Sequence, residues 1–248
     1  MCRFVAYVGP PVTLGALLLH PPHALLRQAW APRHQRHGCI NADGFGAGWY
    51  DPARRPEPAR YRTARPMWAD RSFASLADVV DSPAVLAAVR NATPPSPVEE
   101  SGTPPFTAGP WLFAHNGAVD GFATGARTAL RRLLSDGSAA GIEGSADSEV
   151  LFALVLDRLA AGAPPDAALA DVVAAVAGIA SGRLNLVITD GSQVAATAWG
   201  DSLFVLDRDG AAVVASEPYD DDPAWRPLPD CSIVTARPGR VDVRPLVA

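Results

Sequence analysis

The sequence predicts an α+β fold in which antiparallel sheets stack beneath helices. Strand-like runs occupy both ends of the 248 residues, and helix-like stretches gather in the middle. The C-terminal third alternates apolar segments with the turn pairs Asp190-Gly191, Asp209-Gly210 and Pro238-Gly239, a pattern of hairpins. Strands and helices do not alternate steadily, as a parallel sheet would require.

Taken in order, Arg3 to Val8 is apolar, β-branched and aromatic and stops at Gly9-Pro10-Pro11, which predicts a buried strand followed by a turn. Val12 to Leu19 and Ala24 to Trp30 are short apolar segments broken by Pro21 and Pro22. Phe45 to Tyr50 reads as a strand after the Asp43-Gly44 turn, Ser72 caps a helix reaching Val80, and Ala84 to Arg90 returns as a strand. Six prolines between 91 and 110 predict a long surface loop. Trp111 to Ala114 is then a short strand ending at a His115-Asn116-Gly117 turn, followed by helices over Ala126 to Leu134, Ser148 to Ala161 and Asp166 to Ala180.

A chain of this length buries a large core, and one domain over residues 2–248 is expected. A net charge of −5 offers no basic surface to nucleic acid, and no apolar stretch is long enough to cross a bilayer. Met1-Cys2-Arg3-Phe4 lacks the features of an export signal, and the three cysteines Cys2, Cys39 and Cys231 are too few and too odd for a disulfide scaffold. Together these predict a cytoplasmic protein with free thiols.

The candidate chemistry begins at Cys2. Removal of Met1 would leave this residue with both a thiol and a free α-amine. A thiol of pKa about 8.5 is mostly protonated at neutral pH, whereas an α-amine of pKa about 7.7 to 8.0 can take its proton. Nucleophile and base then reside in one residue, without a triad. The structural alternative is a small apolar residue opening a buried strand. Arg90 is suited to receive a carboxylate bidentately or to form a surface salt bridge. His115-Asn116-Gly117 is either a tight turn or a set of oxyanion donors, and Asp147 is either an ammonium ligand or a helix N-cap. Gly44, Gly46 and Gly48 lead into Trp49-Tyr50 rather than opening a helix, so no dinucleotide fingerprint is present. His34, His37 and Cys39 lack a second ligand pair at zinc-like spacing, so no metal is assigned.

With Met1-Cys2, Asn41 to Gly48, Arg90-Asn91-Ala92-Thr93, Ala114 to Gly117 and Asp147-Ser148-Glu149 in this order, the chain resembles an N-terminal nucleophile hydrolase of the class II glutamine amidotransferase type. The resemblance implies a four-layer αββα sandwich, a Cys2 thioester and no cofactor. It implies that Asn116 and the Gly117 N–H receive the oxyanion. Arg90 would hold the α-carboxylate of a glutamyl group, Thr93 and His115 would line its pocket, and Asp147 would hold its ammonium. Thr93-Pro94-Pro95 departs from the family's Thr-His-Gly, which puts a glutamine-tuned pocket in doubt.

Gln28 to Arg33, Thr103 to Thr107, Trp199-Gly200-Asp201 and Ala215 to Asp222 are similar to the branch of the family that works alone in ergothioneine biosynthesis. That likeness implies hydrolysis of the γ-glutamyl amide of γ-glutamyl hercynylcysteine sulfoxide to glutamate and hercynylcysteine sulfoxide. It agrees with the expectation that a chain ending at Ala248 has no room for a second synthetase domain. The alternative is a glutaminase subunit that feeds ammonia to a partner synthetase. The substrate's quaternary ammonium needs aromatic faces and carboxylates, which Tyr219 with Asp220 to Asp222 supply unless they form a solvated acidic loop.

Overall fold

The computed structural model describes residues 2–93 and 96–246. The proposed trimming of Met1 and the Pro94-Pro95 stretch of the predicted loop lie outside them. Strand β1 (Arg3–Thr13) leads into the short helices α1 (Leu14–Leu18) and α2 (Leu25–Gln28). β2 (Phe45–Trp49), β3 (Ala59–Thr63), α3 (Arg71–Ala77) and β4 (Asp81–Val89) follow, then β5 (Phe106–Ala108) and β6 (Trp111–Val119). The middle is helical: α4 (Ala126–Arg131), α5 (Asp136–Ala140), α6 (Asp147–Ala160) and α7 (Pro165–Ala177). The chain closes with β7 (Gly182–Thr189), β8 (Val194–Ala198), β9 (Phe204–Arg208), β10 (Ala211–Ala215), β11 (Arg226–Pro227), β12 (Ser232–Arg237) and β13 (Arg240–Pro245).

These strands form two antiparallel sheets, ordered β11-β9-β10-β1-β4-β2-β3 and β13-β12-β8-β7-β6-β5. Side-chain alternation assigns the layers. Phe4, Ala6 and Val8 of β1 pack with Leu112, Ala114, Val187 and Val234 between the sheets. Val5 and Tyr7 face the other way, onto Leu14, Leu18, Leu25 and Phe73 of the first helical layer. On the second sheet Phe113, Leu184 and Ile188 turn outward onto Leu151, Val155 and Val172 of α6 and α7. The result is the αββα order. Each large apolar side chain fully buried in these layers contributes about 1.5–3 kcal/mol.

Several local expectations yield to tertiary pairing. β1 does not turn at Gly9-Pro10-Pro11 but continues to Thr13, with a register shift against β4 between Val8 and Val12. The prolines occupy that irregular stretch, where no ladder N–H is required of them. β6 runs straight through His115-Asn116-Gly117, because β7 pairs with it residue by residue from Leu112 to Val119 and outweighs the Asn-Gly turn preference. Within the predicted proline-rich loop, β5 pairs with the start of β6. α3 is capped by Asp70, whose carboxylate accepts the Phe73 N–H, and not by Ser72. α5, which the apolar pattern does not reveal, starts from a Ser135 cap held by Asp157.

Gly46 of β2 lies against backbone on two sides, and a Cβ there would sit 2.5 Å from the Pro104 carbonyl oxygen and 2.8 Å from that of Tyr61. Gly46→Ala is expected to cost about 1–3 kcal/mol of stability, read as a lower urea midpoint. Gly137→Ala, where a methyl meets nothing within 4 Å, is the matched control.

Candidate active site

Cys2 stands immediately before β1 and, by the parity of Phe4 and Ala6, opens toward the space between the sheets. Its backbone N–H donates to Asn116 Oδ1 at 3.1 Å, joining the first strand of one sheet to the middle of β6 in the other. A backbone nitrogen only donates, so this bond fixes the Asn116 amide with its oxygen toward Cys2. The opposite atom, Nδ2, is buried and has no hydrogen-bond partner among the described residues. An unmet buried donor of this kind costs about 1–3 kcal/mol, which an acceptor oxygen placed there would relieve. Asn185 lies directly across β7 from Asn116, donates to the Asp201 and Ser202 carbonyls and accepts from the Trp199 N–H. Cys2 is half-buried, whereas Cys39 and Cys231 are exposed.

The neighbours of Asn116 have separate tasks. A Cβ on Gly117 would come within 1.8 Å of the Arg183 carbonyl oxygen and 2.6 Å of His115 Nε2, so only glycine lets β6 and β7 approach there. His115 points to the helical side, 2 % exposed, with Nε2 donating to the Arg183 carbonyl at 3.0 Å and Nδ1 meeting the Ser148 hydroxyl at 3.1 Å. Both ring nitrogens are engaged by protein, so the imidazole is a peg between β7 and α6 and does not line a glutamyl pocket.

Asp147 is the first residue of α6. Its Oδ2 accepts the Val119 N–H at 3.0 Å and its Oδ1 the Ser148 N–H at 2.8 Å, while Glu149 reaches back to the N–H groups of Gly144 and Ala146. Asp147 therefore joins the end of β6 to α6, and it also lines a cavity of about 600 Å³ with Thr93, Ser96, Ala118, Arg127 and Arg183. Arg90 follows β4, 4 % exposed, and donates from Nη1 to the Pro97 carbonyl at 3.1 Å. Its guanidinium lies under Gly102 and outside the lining of that cavity. The Asn41 to Gly48 segment is tied to this region through Asp43, which donates its N–H to the Arg90 carbonyl and accepts the Ala92 N–H on its carboxylate.

Tyr219 and Asp220 are not brought to Cys2. Tyr219 packs edge-on to Trp225 at 5.2 Å and beside Tyr7, on the helix-facing side of the first sheet. The Asp220 carboxylate accepts the Trp225 indole N–H at 2.7 Å. Burial pushes the Tyr219 phenol pKa well up, with the nearby Asp220 charge adding to it. Both residues line a cavity with Tyr7, Pro10 and Val12, five residues or more along β1 from Cys2, roughly 17 Å at about 3.3 Å per residue. The acid-and-aromatic pairing read from the sequence is present, but it lies on the helix-facing side of the first sheet, along β1 from Cys2.

Sequence reasoning passed over the buried charges around the site. Arg3 is 0 % exposed, and burial lowers its guanidinium pKa against the opposing pull of Glu217 and Asp201. Asp201 is raised by burial and lies 3.5 Å from Arg183 Nε. An arginine inside an otherwise apolar strand was the available signal. His34 places its ring against Phe204 at 4.9 Å and donates its N–H to Glu217, beside Arg33, which does the same.

A family model for class II glutamine amidotransferases matches residues 26–210. A protein of Mycolicibacterium smegmatis named gamma-glutamyl-hercynylcysteine sulfoxide hydrolase is 44% identical over 247 residues, covering 99% of this chain and 100% of its own. A protein of Mycobacterium tuberculosis with the same name is 44% identical over 235 residues, 94% of this chain and 92% of that one. Among solved structures, a glutamine aminotransferase class-II domain protein from Silicibacter pomeroyi superposes over 100% of both chains with a TM-score of 0.73 and 26% identity.

His115→Leu removes the donor from the Arg183 carbonyl and the partner of Ser148. It is expected to cost about 1–3 kcal/mol of stability, measured as a shift in the urea midpoint at constant slope.

Proposed function

The chain belongs to the class II glutamine amidotransferases, and from that premise we propose that it is an N-terminal nucleophile amidohydrolase that cleaves γ-glutamyl hercynylcysteine sulfoxide to glutamate and hercynylcysteine sulfoxide. The hydrogen bond that turns Asn116 toward Cys2 and leaves its Nδ2 unmet carries this reading. The substrate is supported by 44% identity, over nearly the whole of both chains, to relatives that bear that name.

In the proposed mechanism Met1 is removed and the Cys2 α-amine takes the thiol proton. The thiolate attacks the γ-carbonyl carbon, and the resulting oxyanion accepts hydrogen bonds from Asn116 Nδ2 and the Gly117 N–H. The C–N bond breaks as the α-ammonium returns its proton to the departing amine, leaving a thioester on Cys2. Water, deprotonated by the same amine, attacks that thioester and releases glutamate. Asp147 receives the glutamyl ammonium at the cavity it shares with Thr93. Arg90 receives the α-carboxylate, exchanging the Pro97 carbonyl for it. His115 acts indirectly, by holding the Arg183 carbonyl against Gly117.

The same proposal makes residues 2–248 one domain that works in the cytoplasm on a small molecule and without a cofactor. The odd, sparse set of cysteines supports a reducing compartment. No helix among the described residues is long and apolar enough to cross a membrane.

Cys2→Ala is expected to abolish glutamate release while leaving the unfolding transition in place, and intact mass should show the wild-type chain without Met1. Asn116→Ala should lower kcat about 10²- to 10³-fold. Assaying γ-glutamyl hercynylcysteine sulfoxide and glutamine side by side decides the substrate. Faster turnover of glutamine, increasing when a synthetase partner is added, would overturn the hydrolase reading in favour of a glutaminase subunit.

A further inference from the structure

Arg183 stands at the edge of the cavity and is placed there by contacts with three neighbouring residues. It is the register partner of Ala118, one residue beyond the proposed oxyanion donor Gly117, and its carbonyl is fixed by His115. Gly200 makes space for its stem, since a Cβ there would come within 3.0 Å of Arg183 Cγ. Its Nε lies 3.5 Å from Asp201 Oδ2, whose side chain is wholly buried. The backbone at Asp201 is fixed in turn by Asn185. The arginine is thus anchored along its stem and ion-paired, without a hydrogen bond, at Nε, while its side chain remains a quarter exposed and lines the cavity it shares with Asp147 and Thr93. A guanidinium anchored in this way presents its terminal nitrogens as a planar fork, a shape matched to a carboxylate.

The substrate proposed above has a carboxylate to offer on each side of the scissile bond. One belongs to the glutamyl group, to which Arg90 is assigned. The departing group carries two, of which the one on its cysteine lies two bonds from the scissile nitrogen, and glutamine has neither. We propose that Arg183 binds the carboxylate of the departing amino acid and so selects γ-glutamyl amides of amino acids over glutamine. This rests on the γ-glutamyl amidohydrolase reading and adds the residue that sets its leaving-group specificity.

The test compares γ-glutamyl-S-methylcysteine with the γ-glutamyl amide of 2-(methylthio)ethylamine, a matched pair differing only in that carboxylate. kcat/KM is measured for both on wild type, Arg183→Gln and Arg183→Lys. Wild type should prefer the carboxylate-bearing compound. The preference should fall about 10- to 100-fold in Arg183→Gln, the loss of a charged hydrogen-bonding pair, and recover in part in Arg183→Lys. Because both compounds are assayed on one preparation, any loss of folded enzyme cancels in the ratio. An unchanged ratio, or an equal loss on both compounds as expected if Arg183 held the glutamyl carboxylate, would overturn the assignment. Wild type that cleaves both compounds equally well overturns this inference alone, whereas wild type that cleaves no γ-glutamyl compound overturns the amidohydrolase reading beneath it.

Discussion

The hydrogen bond from the Cys2 N–H to Asn116 Oδ1 is the constraint on which the rest of the site depends, because it is made between two sheets and not within one. β1 is an interior strand of the first sheet and β6 of the second, so neither can shift without disturbing ladders on both of its sides. The layer between them is built largely of small side chains, among them Ala6, Ala84, Ala88, Ala114, Ala196 and Ala212. That composition brings the sheets close enough for a main-chain atom of one to reach a side chain of the other. A slip of β6 by one residue would turn His115 inward and Asn116 toward the helices. Eight consecutive register pairs with β7 hold it in place.

Within three residues β6 assigns three different physical tasks. Asn116 faces inward, committed through its oxygen and uncommitted through its nitrogen. His115 faces outward and ties β7 to α6, and Gly117 is the gap that lets the Arg183 carbonyl approach. Around this trio lies a set of charges, the buried Arg3, Asp201 and Glu217 and the partly buried Arg183, in which Arg3 Nε and Nη2, Glu217 Oε1, both Asp201 carboxylate oxygens and Arg183 Nε have no hydrogen-bond partner among the described residues. Burying charges so incompletely paired costs stability. Local violations of otherwise consistent packing concentrate where function is housed, and here they adjoin Cys2 and the cavity lined by Asp147 and Arg183.

The parts of this molecule that were legible in its sequence are those set by local chemistry. The Asp209-Gly210 hairpin turn is one: both residues adopt positive φ, which Asp tolerates and Gly favours. Cys2 and Asn116 stood out by residue type and order, and the fold brings them together, while Asp147 was legible as the start of a helix. What remained hidden depends on partners distant in the chain. Asn116-Gly117 has the composition of a turn and becomes mid-strand only because β7, more than sixty residues later, pairs across it. Tyr219 and Asp220 have the right chemistry for a cation, but which face of β1 they meet is decided by how the segment after β10 crosses the first sheet. Arg90 was expected to open onto substrate, and its coverage by residues 97–102 is again a long-range packing result.

The glycine series shows how such a long-range result returns to the site. A Cβ at Gly44 would lie 2.7 Å from Thr103 Oγ1, and one at Gly46 would lie 2.5 Å from the Pro104 carbonyl oxygen. Both glycines therefore form the seat on which residues 103–105 rest. Arg60 and Arg62 hold the same segment from β3, donating to the Pro105 and Ser101 carbonyls. That segment continues directly from the one covering Arg90. A glycine series that carries no reactive group thus reaches the surroundings of Arg90 through the backbone it admits. Gly46 and Gly48 share one face of β2 by the same alternation that orders the sheets, with Gly44 just before the strand, and Gly48 meets Leu112 of the opposite sheet where the other two meet the loop.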